Sequence, residues 1–186
     1  MTVFELARLA VGVCQKAGIE FMLTGAFATG CYGIPRSTKD VDLVVEVSEP
    51  GALEKIFEGM SAVVEFEDQA QFDTITWGIR HVGWTREKPH YIVEFFELYD
   101  DAFVREQFRR RVELPVPVLE KTVWVPTAED VVVQKLRWGR RKDIDDVIDV
   151  ILAQLERLDF AYMEGWCEKL GVGDRLAMVL EEVRGS

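Results

Sequence analysis

Residues 21–47 read FMLTGAFATGCYGIPRSTKDVDLVVEV, and the fold is decided by how this stretch is read. Phe21-Met22-Leu23 is a short apolar run that suits a buried strand. Gly25 then makes a tight turn into residues 26–31, rich in small side chains as a closely packed helix would be. Gly33, Pro35 and Ser37 mark a loop, and residues 40–47 return to a strand. Side chains alternate faces along a strand, so Asp40, Asp42 and Val44 share one face while Val41, Leu43 and Val45 take the other. Two carboxylates on one face repel each other and cost stability unless a cation sits between them. The plain alternative is a turn residue followed by an acid on a solvated edge strand.

What such a pair would need directs the reading outward. A helix that opens at a glycine turn exposes unpaired backbone N–H groups and the positive end of its dipole, which suits a phosphate. Here that turn is Thr24-Gly25-Ala26, and the thirteen residues between Ala26 and Asp40 allow a helix and loop to return the chain to an adjacent strand. Mg²⁺ takes hard oxygen ligands, usually one or two carboxylates plus substrate phosphates. The combination suits phosphoryl or nucleotidyl transfer, where metal ions neutralise the triphosphate and activate the attacking oxygen. Gly25 is equally compatible with an ordinary strand-to-helix turn, so its phosphate role rests on the aspartates. Arg36 and Thr38 have two readings: a loop arginine with a strand-start threonine, or a triphosphate contact with a hydrogen-bond network ahead of Asp40.

On either side the patterns alternate between helix and strand. Residues 2–17 repeat apolar positions at helical spacing, with Gly18 as the stop. Residues 50–59 read as a helix ending at Gly59, residues 62–66 and 74–81 as strands, and residues 91–98 (YIVEFFEL) as a strand rich in aromatic and β-branched side chains. A helix over 100–111 is followed by residues 112–118, whose two prolines allow at best an edge strand or an extended connection. A short strand at 122–125 precedes a helix capped by Thr127, with Asp130 three residues on. From there residues 131–138, 144–158, 160–170 and 174–184 are helical. The fold class is therefore α+β: a small mixed sheet with flanking helices over residues 1–125, and a C-terminal helical region over 126–186 packed on it.

Composition narrows the function classes. A chain of 186 residues with 48% hydrophobic and 30% charged residues is ordinary for a water-soluble domain. There is no apolar run near the ~20 residues of a membrane span and no basic leader, so a cytoplasmic setting without membrane contact is expected. Three scattered cysteines argue against a disulfide framework, and two histidines without a Cys-x-x-Cys motif argue against zinc. The net charge of −11 repels nucleic-acid backbone unless a local basic surface exists. Arg105, Arg109, Arg110 and Arg111 read as a solvated face balancing nearby acids, while Lys135, Arg137, Arg140, Arg141 and Lys142 form a second basic segment.

Leu23-Thr24-Gly25-Ala26, then Gly33, then Arg36-x-Thr38-x-Asp40-Val41-Asp42-Leu43 resembles the nucleotidyltransferase superfamily related to DNA polymerase β. Within it the chain looks like the small bacterial AbiEii-type branch associated with toxin–antitoxin pairs. A later stretch, from Val125-Pro126-Thr127 through Lys135 to Asp143-x-x-Asp146, is similar to that family's lysine motif and Lys-Asp-x-x-Asp motif. The resemblance implies a small mixed sheet with flanking helices and a helical extension. It implies an NTP bound through Thr24, Gly25, Ala26, Arg36, Thr38, Lys135 and Asp146, with Mg²⁺ or Mn²⁺ on Asp40, Asp42 and a third carboxylate on a neighbouring strand. Glu94, in Val93-Glu94-Phe95-Phe96, is similar in position to that third carboxylate, with Glu97 the alternative. Ala26 replaces the hydroxyl or second glycine of the family's Gly-Gly/Ser pair and keeps only its N–H.

On this reading Asp146 pairs with Lys135 or Arg36; the plain alternatives are an Asp143 that caps its helix and a Lys135 that snorkels to solvent. The implied reaction moves a nucleoside monophosphate to an acceptor hydroxyl or phosphate on a tRNA, a protein or a small molecule, with room for a protein partner or a homodimer. Two other readings share the machinery: a weakened or inactive regulatory module of a toxin–antitoxin pair, and an antibiotic-modifying nucleotidyltransferase. Among the tryptophans only Trp138, beside the lysine motif, is a candidate to stack on a base; Trp77, Trp84, Trp124 and Trp166 read as core or interface.

Overall fold

The structure is a computed structural model that describes residues 1–73 and 78–185. Helix α1 (Val3–Ala17) opens with a capping box between Thr2 and Glu5 and buries Val3, Leu6, Ala7, Ala10, Val11 and Cys14 along one stripe. Strand β1 (Phe21–Leu23) leads through the short helix α2 (Gly25–Thr29) to β2 (Asp40–Val45), then α3 (Ala52–Met60) and β3 (Val64–Phe66). Strands β4 (Gln71–Phe72), β5 (Ile79–Thr85) and β6 (Ile92–Glu97) follow, then α4 (Ala102–Arg110). A hairpin of β7 (Val112–Val116) and β8 (Lys121–Val125) precedes α5 (Ala128–Trp138), α6 (Arg141–Gln154), α7 (Phe160–Lys169) and α8 (Gly173–Gly185).

The main sheet runs β1-β2-β6-β5-β3, with β4 added on β5. Its pairs are antiparallel except β2 with β6, which is parallel and sets Asp42 opposite Glu94. This mixed sheet flanked by helices is the α+β arrangement expected from the sequence. One face of the central strands is fully buried: Val41, Leu43, Val93 and Phe95 are 0% exposed in a cluster shared with α1 and α3. The same apolar cluster continues into α5 and α6 through Val132, Val133, Leu136, Val147 and Val150. The other face carries Asp40, Asp42 and Glu94, all partly solvated. Among the described residues no helix is long and apolar enough to cross a membrane.

Gly59, which reads as a helix stop, and Gly83 are packing residues. Helix α3 runs through Gly59 to Met60, because the glycine lets α1 approach: a Cβ there would sit 2.8 Å from Val13 Cγ1. Strand β5 continues past the expected end at His81 to Thr85, through Gly83, where a Cβ would lie 2.7 Å from Phe66 Cδ1. Residues 74–77 of the expected strand, Trp77 included, lie outside the described residues, and the short strand β4 was not expected. Residues 112–118 do provide a strand, β7, with Pro115 opposite Thr122 before a 3₁₀ turn at Pro117–Leu119. The arginines of the first basic segment meet acids: Arg105 pairs with Asp100, Arg109 with Glu106, Arg110 with Asp130 and Arg111 with Glu20.

The two faces of β6 should differ sharply in what they contribute to stability. Phe95→Ala, at a site with 0% exposure, should cost about 3–5 kcal/mol. Ile92→Ala, at 37% exposure, should cost less than about 1 kcal/mol. Urea denaturation midpoints at constant slope measure both.

Candidate active site

The turn after β1 is pressed against Asp42. Gly25 holds φ +62°, the left-handed region that side chains disfavour, and a Cβ there would fall 1.9 Å from Asp42 Oδ2. Glycine is thus required by the backbone and again by the carboxylate. The Thr24 N–H donates to the Asp42 carbonyl at 2.8 Å, fastening the turn to β2. At the start of β2, the Asp40 N–H donates to Thr38 Oγ1 at 3.1 Å, and the Thr38 hydroxyl donates to the Asp40 carbonyl at 3.3 Å.

Parallel pairing puts Asp42 beside Glu94 on the same face. Burial, then the charges of Glu94 and Asp40 and a hydrogen bond shared with Glu94, push the Asp42 carboxyl up to about 7, against the opposing pull of Lys135. Two carboxyl groups in hydrogen-bond contact need a proton between them or a cation in its place. Glu94 is also met by Arg80 at 2.9 Å, and Arg80 in turn donates to Gln71 Oε1 at 2.8 and 3.2 Å. Glu97 sits on the opposite face, where its Oε1 lies 2.7 Å from His81 Nε2. Glu94 therefore belongs to the open face of the sheet, and Val93 and Phe95 belong to the face packed under helices. Among the described residues no three carboxylate, histidine or cysteine side chains are drawn together tightly enough to cage a metal ion unaided. A cation that takes only one or two carboxylates and completes its shell with phosphate and water oxygens fits this donor set.

The C-terminal helices bring counter-charges. Asp146 on α6 accepts from Arg36 at 2.9 and 3.3 Å and from Lys135 at 2.7 Å. Lys135 on α5 also reaches Asp143 at 3.2 Å, and Asp143 accepts from Arg140 Nε at 2.6 Å. The result is an alternating chain, Arg36–Asp146–Lys135–Asp143–Arg140, whose three middle members are almost fully buried. Burial alone would raise the Asp143 carboxyl. The hydrogen bond from Arg140 and the charges of Lys135 and Arg140 outweigh it and hold the group below the ordinary aspartate range. Asp143 caps α6 as well, accepting from the Arg140 N–H at 3.3 Å. The Trp138 ring lies 5.5 Å from Lys135 Nζ and 5.1 Å from Arg140 Cζ, within cation–π range of both.

These elements enclose one cleft. Gly25, Ala26, Arg36, Thr38, Asp40, Asp42, Glu94 and Lys135, all named from the sequence, line it together. Asp146 stands behind the wall it braces, and Thr24 faces a neighbouring compartment. Arg80, Asp73, Arg140 and Lys142 also line the cleft and were not singled out from the sequence as site residues. The basic run at 135–142 signalled two of them, whereas Arg80 reaches Glu94 only through the pairing of β5 with β6. Five basic and four acidic side chains thus face one space in a protein of net charge −11.

Residues 18–171 match the family described as nucleotidyltransferase of unknown function (DUF6036). No curated protein matches the chain in sequence. In fold, the chain is similar to an antigenic nucleotidyltransferase-like protein from Paracoccidioides brasiliensis, with TM-score 0.65, 19% identity, and 97% of this chain and 88% of that one covered. It is also similar to ANT(2'')-Ia, an antibiotic-resistance factor, in complex with adenylyl-2''-tobramycin. There the TM-score is 0.61 at 14% identity over 90% of this chain and 95% of that one. A nucleotidyltransferase structure from Thermotoga maritima gives TM-score 0.52 at 14% identity, covering 76% and 87%. At these identities the likeness is one of fold.

Two outcomes follow from the site's electrostatics. In metal-free buffer the folded protein holds a proton on Asp42 up to about pH 7, while the unfolded chain releases it near 3.8. Asp42 therefore subtracts stability progressively as pH rises from about 4 to 7, and Asp42→Asn should gain on wild type over that window and hold its gain above it. Thermal melts of both proteins across the range check the sign. Lys135→Met removes the cation shared by two buried aspartates and should cost about 3–5 kcal/mol in urea unfolding.

Proposed function

We propose, for a chain that belongs to the DUF6036 nucleotidyltransferase family, the transfer of a nucleoside monophosphate from an NTP to an acceptor oxygen with the help of a divalent cation. The observation that carries this reading is the Asp42–Glu94 pair set against the backbone of Gly25 in a cleft ringed by basic side chains. A lone carboxylate cluster would be satisfied by solvent or a proton, but here basic side chains border the same space, four of them already oriented by acidic partners, and that suits a polyanion.

Asp40 and Asp42 would hold Mg²⁺ or Mn²⁺, with Glu94 beside them as the third carboxylate. When bound, the cation supplies charge neutralisation and Lewis acidity at the triphosphate. Arg36, Arg140 and Lys142 take the phosphate oxygens. Lys135 meets Asp143 and Asp146 with two of its three donors and keeps one for the cleft. The Gly25 and Ala26 backbone comes close to the phosphates because no side chain stands on Gly25. Asp146 orients Arg36 and Lys135 rather than touching the nucleotide, and Thr38 keeps Asp40 in register. The acceptor oxygen bonds to the α-phosphorus, the bond from that phosphorus to the oxygen bridging the β-phosphate breaks, and pyrophosphate departs. The acceptor's proton passes to a carboxylate of the cluster. Positioning and preorganised charge supply the rate.

A net charge of −11 favours a small or cationic acceptor over a nucleic acid. The ANT(2'')-Ia complex offers a precedent for such an acceptor within the same fold. One contact favours a second reading: Arg80 occupies Glu94 at 2.9 Å, which would suit a nucleotide-binding module with weakened turnover, such as one half of a toxin–antitoxin pair.

Radiolabelled ATP, GTP, CTP and UTP, each with Mg²⁺ or Mn²⁺, should release pyrophosphate on the purified protein, and Asp42→Asn should slow release by at least about 100-fold. Nucleotide-dependent thermal stabilisation without turnover selects the second reading. A protein that shows neither turnover nor stabilisation by nucleotide and cation overturns both.

A further inference from the structure

The cleft has a neighbour. Phe96 and Trp138 line both spaces, and beyond them Val44 from β2 and Val104 from α4 complete a compartment with mostly apolar walls. Thr24 stands at its edge; its hydroxyl makes no capping bond to α2. Gln134 on α5 also lines the compartment at only 6% exposure, and neither its Nε2 nor its Oε1 has a hydrogen-bond partner.

That amide is out of keeping with its surroundings. Buried polar side chains are paired in the large majority of cases, and an unpaired one carries its full desolvation penalty. A leucine at 134 would pack on the same walls without that penalty. The amide presents a donor and an acceptor side by side, so its complement is a flat group with an acceptor and a donor at matching spacing. Phe96 and Trp138 are among the compartment's lining residues, and aromatic side chains are what a flat group stacks on. Glu97, Tyr99 and Gln107 also line the compartment, yet most of its exposed wall is apolar, which suits a flat group better than one bearing many hydroxyl or ammonium groups. Because two residues border both spaces, a molecule with phosphates beside Asp42 can extend into the second without leaving the protein surface.

We infer that this compartment receives the nucleobase of the NTP, with Gln134 reading its hydrogen-bonding edge and Trp138 and Phe96 as stacking walls. The assignment rests on the triphosphate reading of the adjoining cleft. It makes Gln134 a specificity residue whose mispairing in the free protein is relieved only when nucleotide binds.

Calorimetric titration with the α,β-methylene analogues of ATP, GTP, CTP and UTP and with inorganic tripolyphosphate, all with Mg²⁺, tests it. At least one analogue should bind about tenfold or more tightly than tripolyphosphate. Gln134→Leu should lose about tenfold in affinity for that analogue and none for tripolyphosphate. The same variant should melt at a higher temperature without nucleotide, which separates lost recognition from lost folding. Val44→Phe, which fills the compartment from β2, should show the same selective loss. Equal affinity for analogues and tripolyphosphate, or a Gln134→Leu effect that is absent or equal for both, overturns the inference and leaves the triphosphate reading standing. Binding of neither class overturns both.

Discussion

Asp42 and Glu94 lie side by side because β2 and β6 pair in parallel with those two residues in register. Like charges on adjacent strands repel, so the pair persists only where neighbouring groups or a bound species offset it. Gly25 makes room for the Asp42 carboxylate, Arg80 takes one side of Glu94, and the charge of Lys135 favours the ionised form of Asp42 from the far wall. Burial and then the uncompensated charges of Glu94 and Asp40 raise the Asp42 carboxyl, and a divalent cation would offset both.

The buried ion chain solves the opposite problem. Lys135, Asp143 and Asp146 are almost fully removed from solvent, where any one of them alone would be costly. Alternation of sign from Arg36 to Arg140 gives each buried charge an opposite neighbour on both sides. The chain also crosses elements, joining the loop before β2 to α5 and α6. It therefore holds the helical wall at a set distance from the sheet, and with it the basic side chains that face the carboxylates.

Stability and the site are separated by the two faces of one sheet. Below it, Val41, Leu43, Val93 and Phe95 close an apolar core with α1 and α3. Above it, repelling carboxylates, a glycine in a left-handed turn and an unpaired glutamine amide accumulate within a few residues of each other. Each lowers the stability of the free protein, and their concentration in one place marks the region as shaped by what it binds.

Local pattern carried much of this. Alternation along residues 40–45 put both aspartates on one face and the Gly25 turn stood where the carboxylate needs it, whereas Lys135 and Asp146 were singled out by the family resemblance. The alternation depends on a period of two residues, which is a property of the chain itself. Gly59 was misread as a helix stop because a glycine that admits a neighbouring helix looks, in one dimension, like a break. Whether Lys135 would point to solvent or bury its charge could not be read either, since its partners stand eight and eleven residues away on another helix. Arg80, the register that sets Asp42 opposite Glu94, and the unpaired amide of Gln134 came only with the fold, although the resemblance had already named Glu94. They arise from strand order and helix packing, and a pairing partner far along the chain leaves no periodic trace at the residue it meets.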